Sequence, residues 1–143
     1  MAAVVRVRPV ESLAELEEAW RLAAAVLNQD DSHPRNGAFY AHHFPHHPEL
    51  LLVALSGEPE TLCGTLLAHA EPDHVWIGKL VVAAGYRGAG TGSALLALLE
   101  RNAAAAGYGR LMLGAAREAQ DFYARRGYRQ EVVQDRPVFV KTL

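Results

Sequence analysis

Cysteine occurs once in the 143 residues, at position 63, so no internal disulfide can form and the chain suits a reducing compartment. Cys63 sits in CGT between apolar stretches, which reads as a buried small residue rather than a nucleophile. Lysine is nearly absent as well, with Lys79 and Lys141 alone among mostly arginine cations. No charge of one sign dominates, the formal net charge being −2, which leaves no electrostatic case for nucleic acid or a membrane surface as partner. Nowhere do about eighteen apolar residues follow one another, and MAAVVRVRPVES has no apolar run of signal length. The expectation is a cytoplasmic globular protein, half of whose residues are hydrophobic, folded as one domain over residues 1–143.

The hydrophobic pattern changes period along the chain. Val4, Val5 and Val7 form a short strand-like run ending at Pro9. Ser12 and Glu15 have the spacing of a capping box, and Leu13, Leu16, Trp20, Ala23, Ala24 and Leu27 then recur at helical spacing up to Asn28. NQDDSHPRNG reads as a loop, and AFYAHHFPHHP as a short helix or ordered loop. LLLVAL, TLCGTLLAHA and HVWIGKLVV are three apolar runs separated by turn residues, hence strands in antiparallel hairpin order. A helix from Ser93 to Ala106, a strand RLMLGA, a short helix in REAQDFYARRGY and two strands turning at Gln134–Asp135 complete the order.

The stretch YRGAGTGSALL joins the third of those strands to a helix through Arg87, Gly88, Ala89, Gly90, Thr91, Gly92 and Ser93. Unpaired amides at a helix start, with glycines that let a ligand approach, suit a diphosphate. The stretch lacks the lysine and hydroxyl of GxxxxGK[ST]. Gly88-Ala-Gly90 starts a GxGxxG pattern but Ser93 ends it, and the preceding strands are antiparallel. A glycine turn serving only tight packing is the remaining alternative, with a non-acyl phosphate binder beside it.

Arg87-Gly88-Ala89-Gly90-Thr91-Gly92 after a strand resembles the acyl-CoA pyrophosphate loop of the GCN5-related N-acetyltransferase (GNAT) family, and DFYARRGY some thirty residues on resembles its second signature. The order of elements matches that family over nearly the whole chain. The resemblance implies an α/β fold with a mixed sheet of six to seven strands, splayed in the middle and flanked by about four helices. It also implies acetyl-CoA as co-substrate and no metal, an amine acceptor that is a small molecule or a peptide, direct attack in a ternary complex, and a homodimer as an open option. Carried over by residue, it implies pantetheine pairing with Leu80, Val81 and Val82, diphosphate binding by the amides from Gly88 to Ser93 with charge from Arg87, and Tyr123 as the acid that protonates the departing thiolate. Family members often carry a Glu or His base where this chain has Trp76 and Gly78. Strand alternation makes His74 the first substitute, with His69, Glu71 and the group His42, His43, His46 and His47 behind it. The asparagine that usually opens the short helix is replaced by Ala116. These departures keep a second reading alive, a non-catalytic acyl-CoA-binding module. Asp30, Asp31, Glu71 and Asp73 would suit a cationic acceptor if they faced inward.

Overall fold

The computed structural model describes residues 5–143, so Val4 of the first run lies outside the described residues. Seven strands form one mixed sheet: β1 (Val5–Pro9), β2 (Leu51–Ser56), β3 (Thr61–Ala70), β4 (Val75–Val82), β5 (Arg110–Leu113), β6 (Arg129–Val133) and β7 (Arg136–Thr142), in the order β1-β2-β3-β4-β5-β7-β6. Every neighbouring pair is antiparallel except β4 with β5. The β6–β7 turn falls at Gln134 and Asp135, both in the left-handed region.

Among the described residues four α-helices cover the sheet: α1 (Leu13–Leu27), α2 (Gly37–His43), α3 (Thr91–Ala105) and α4 (Gln120–Ala124). Because β2 is buried on both faces, its side chains alternate between two cores. Leu52 and Ala54 meet Leu95, Leu96 and Leu99 of α3 on one side. Leu51, Val53 and Leu55 meet Leu16 and Ala19 of α1 and Tyr40 of α2 on the other.

Three local expectations are corrected. Ser12 does cap α1, accepting the Glu15 amide at 3.1 Å, but the Glu15 carboxylate takes the Glu11 amide and a bidentate Arg8 instead of closing the box on Ser12. A guanidinium fork outbids one more amide. Leu13 and Leu27 are exposed rather than in the core, and α3 begins at Thr91, two residues early, with Gly90 as its cap.

The strand pair β4–β5 holds the feature that matters for chemistry. Its register contains only Val75 with Leu111 and Trp76 with Met112, at the start of β4. Beyond Trp76 the strands diverge, and the β5-facing edge from Leu80 to Val82 is unpaired. On its other edge β4 carries a bulge: Ala68 faces Ile77 and Leu67 faces Lys79, which leaves Gly78 without a partner.

Candidate active site

The glycine loop stands beside that opening. Gly88 and Gly90 have φ of 82° and 80°, a region that side chains disfavour, and a Cβ at either would point into open space. Glycine here shapes the backbone and keeps the approach clear. Among the described residues no backbone amide from Arg87 to Ser93 donates to a protein acceptor, the loop's own bonds being Tyr86 to Ala83 and Ala94 to Gly90. Seven consecutive amides are therefore free at the positive end of the fifteen-residue α3.

Two adjoining clefts run from this loop into the sheet. The first, of 360 Å³, is lined by Gly88, Gly90, Gly92 and Ser93 together with Arg87 and Arg126. Arg126 was not foreseen from sequence. Its guanidinium lies 3.7 Å from the Phe122 ring centroid and donates through Nε to Ser93 Oγ at 3.0 Å, so it adds a second cation to the mouth of the loop. Arg87 donates through Nε to the open Val82 carbonyl at 3.1 Å, engaging one of the acceptors that the splay exposes.

The second cleft, of 550 Å³, is mostly apolar and continues along Leu80, Val81 and Val82 to Tyr123, with Val26 and Leu27 of α1 on its rim. That lining accounts for the exposure of Leu27. Tyr123 is 6% exposed, and burial pushes its phenol up to about 12, against a weaker pull from Arg126. It stays a proton donor throughout the neutral range.

The structure thus brings together Leu80, Val81, Val82, Arg87, Gly88, Gly90, Thr91, Gly92, Ser93 and Tyr123, with Ala89 on the same loop. It does not bring His74 to them. His74 precedes the closed end of the β4–β5 pair, about 20 Å along the strand from Leu80, and its Nδ1 pairs with Asp73 at 2.7 Å.

On the α1–α2 face of the bulge lie groups that carry charge without a counterion. Lys79 is 3% exposed, and its ammonium donates only to Gln29 Oε1, at 2.7 Å, beside the Trp20 ring. Desolvation, and secondarily the Arg35 guanidinium, push it down to about 8. Because the unfolded lysine titrates near 10.5, the folded state pays for this ammonium below pH 8 and is relieved as pH rises from 8 to 10.5. Lys79→Met should therefore raise Tm at pH 7 by several degrees, about 1–3 kcal/mol. The gain over wild type should shrink toward pH 10.5 in a thermal-melt series; a gain independent of pH would show that the ammonium is not desolvated.

The histidines form no common site. His42 and His43 stack edge to face, and His43 lies 5.4 Å from His69, which is buried and bonds Glu71 Oε1 through Nε2 at 3.0 Å. Burial pushes His43 and His69 down. Among the described residues no group of three or more His, Cys, Asp or Glu is placed to hold a metal ion, and no helix is long and apolar enough to cross a membrane. Cys63 is buried, which pushes its thiol up.

A mixed sheet opened at its one parallel pair, with a free-amide loop and helix start beside the opening, defines the acyl-CoA N-acyltransferase fold. The chain belongs to the acetyltransferase (GNAT) family, whose model matches residues 13–128. It is similar in structure to a GNAT-family acetyltransferase from Staphylococcus aureus Mu50, with TM-score 0.77, 18% identity and coverage of 98% of this chain and 99% of that one. Similar too are the PaiA N-acetyltransferase from Thermoplasma acidophilum in complex with coenzyme A, with TM-score 0.71, 17% identity and coverage of 98% and 99%, and a chain of the NatC complex bound to Gag peptide and CoA, with TM-score 0.79, 21% identity and coverage of 100% and 99%. None of the curated protein sequences compared with it matches significantly.

Proposed function

We propose that the chain transfers the acetyl group of acetyl-CoA to a primary amine, by direct attack while both substrates are bound. The run of seven free amides from Arg87 to Ser93, set against the unpaired edge of Leu80–Val82, carries this reading. The residues fit the carrier. The loop amides with Arg87 and Arg126 would hold the diphosphate, and the open carbonyls and amides of Leu80–Val82 would pair with the pantetheine as an added strand does. Acetyl-CoA supplies the activated acyl group. Tyr123, kept protonated by burial, would give its proton to the departing sulfur.

Arg126 offers the most direct test of carrier binding. A charge-assisted contact of about 1.5–3 kcal/mol implies that Arg126→Ala weakens CoA binding about 10- to 100-fold by calorimetry, with less effect on kcat at saturation. Unchanged affinity would place the diphosphate elsewhere.

The non-catalytic CoA-binding reading draws support from Trp76 and Gly78, neither of which can accept a proton, and from the remoteness of His74. Turnover separates the two readings. Acetyl-CoA mixed with protein and a panel of amines should release free thiol at a rate that depends on the amine; tight CoA binding with no amine-dependent release would sustain the binding module instead. A cytoplasmic location, with its reducing environment for the lone Cys63, accompanies the catalytic proposal.

A further inference from the structure

The α1–α2 face of β4 has an electrostatic character that sequence composition conceals. All four acids that might have faced an acceptor accept hydrogen bonds from protein groups, Asp30 and Asp31 from neutral donors that leave their charge in place. Asp30 takes the Ser32 amide at 2.9 Å, Asp31 takes Trp20 Nε1 at 2.9 Å, Asp73 holds His74 and Arg110, and Glu71 holds His69. Two cations on the same face, Arg35 and Lys79, have no carboxylate partner among the described residues. The Arg35 guanidinium lies over the Trp76 ring, 5.4 Å from its centroid, and among the described residues its N–H groups donate to no protein acceptor. Burial pushes Lys79, His33 and His69 down and the Arg35 charge adds to it, while at Tyr40 the same charge offsets part of the rise that burial causes. Two buried polar atoms in the same neighbourhood, Tyr40 Oη and His69 Nδ1, have no hydrogen-bond partner.

Buried or half-buried cations without a counterion cost free energy unless a ligand supplies the missing charge. A simple ammonium would bring no counter-charge to Arg35. An amine whose own carboxylate met Arg35 would be drawn in, while the positive surroundings would lower the pKa of its ammonium and favour the neutral, nucleophilic form. That combination also bears on why Trp76 and Gly78 can stand where a base is usual: the ammonium proton is shed to water on entry, and the proton the nitrogen loses on acylation would restore the phenol that Tyr123 gave up to the thiolate, directly or through water.

We propose that the acceptor is a primary amine carrying a carboxylate, as in a free amino acid, and that Arg35, held over Trp76, binds that carboxylate in a bidentate pair. This rests on the acetyl-transfer reading above and assigns the acceptor class of the same site. Arg35 lies on the loop between α1 and α2 and Trp76 on β4, so the pair also ties acceptor binding to the strand that would hold the thioester.

The test pairs the standard α-amino acids with their methyl esters, using thiol release from acetyl-CoA and, independently, calorimetric titration of each compound onto CoA-loaded protein. The ester amine is the less basic and so the more often neutral at pH 7.5, which biases turnover against the proposal. A charged bidentate contact predicts kcat/KM about 10- to 100-fold higher for the preferred acid than for its ester, erased by Arg35→Ala and partly regained by Arg35→Lys. Esters or plain alkylamines that are used as well as acids, or a preference that survives Arg35→Ala, overturn the proposal and leave acetyl transfer standing. Acid-selective binding lost in Arg35→Ala, with no thiol release for any amine, would instead sink the catalytic reading and keep the carboxylate site. Neither selective binding nor release would end both.

Discussion

Replacing Tyr123 by Phe should lower kcat by about 10²- to 10³-fold, with the KM for acetyl-CoA held within about threefold. The phenol lines the apolar cleft beside the unpaired edge of β4, and among the described residues its hydroxyl donates to no protein group. Removing that hydroxyl strands no partner, and the ring keeps its edge contacts with Phe122 and Tyr128, so the melting temperature should hardly move. A large fall in kcat without a fall in stability is the signature of a proton donor rather than a packing residue. Titration gives a second readout. With the phenol pushed up to about 12, it is in its acid form at every pH from 6 to 10, and it should add no inflection to the kcat profile in that range. An inflection near the ordinary tyrosine value of about 10 that disappears in Tyr123→Phe would place the hydroxyl in water, outside the cleft.

What could be read from sequence was chemistry carried by contiguous residues. The glycines of the 87–93 loop announce a free backbone at a helix start, because neither their conformation nor their exposure depends on distant packing. The three-strand hairpin order was legible for the same reason, each turn being set by SGEPE or EPD nearby. Contacts between segments far apart in the chain were not. His74 was chosen by alternation, which fixes a face but says nothing of which end of β4 opens. Arg126 reaches Ser93 across thirty-three residues, and no local pattern distinguishes it from its neighbour Arg125, which pairs with Asp121 on the surface. Nothing in the sequence around Lys79 marks it as buried. It is buried on the α1 face because the bulge at Gly78 resets the alternation by one residue. A lone glycine inside a strand was the available signal for that bulge, but the side chain that requires it comes from α2.

That side chain, Tyr40, gives the second large effect. A Cβ added at Gly78 would fall well inside van der Waals contact of Tyr40 Oη, and Tyr40 is 0% exposed, so its ring has nowhere to move. Gly78→Ala should cost about 1–3 kcal/mol, seen as a Tm several degrees lower. Tyr40→Phe should do the reverse, gaining about 1 kcal/mol, because it removes a buried hydroxyl that has no partner in the folded protein. With that hydroxyl gone, the nearest ring atom to the new methyl is Cζ at 3.4 Å, an ordinary contact. The double variant should then melt close to Tyr40→Phe alone, a coupling of more than about 1 kcal/mol in the cycle. Simple additivity would mean that the strand yields rather than the ring, and that Gly78 is not reserved for Tyr40. A fold that keeps an unpaired hydroxyl at a strand bulge, and a glycine to make room for it, is carrying a cost that packing does not explain. If the hydroxyl serves the acceptor beside Arg35, Tyr40→Phe should raise Tm and lower kcat/KM for the amine in the same protein.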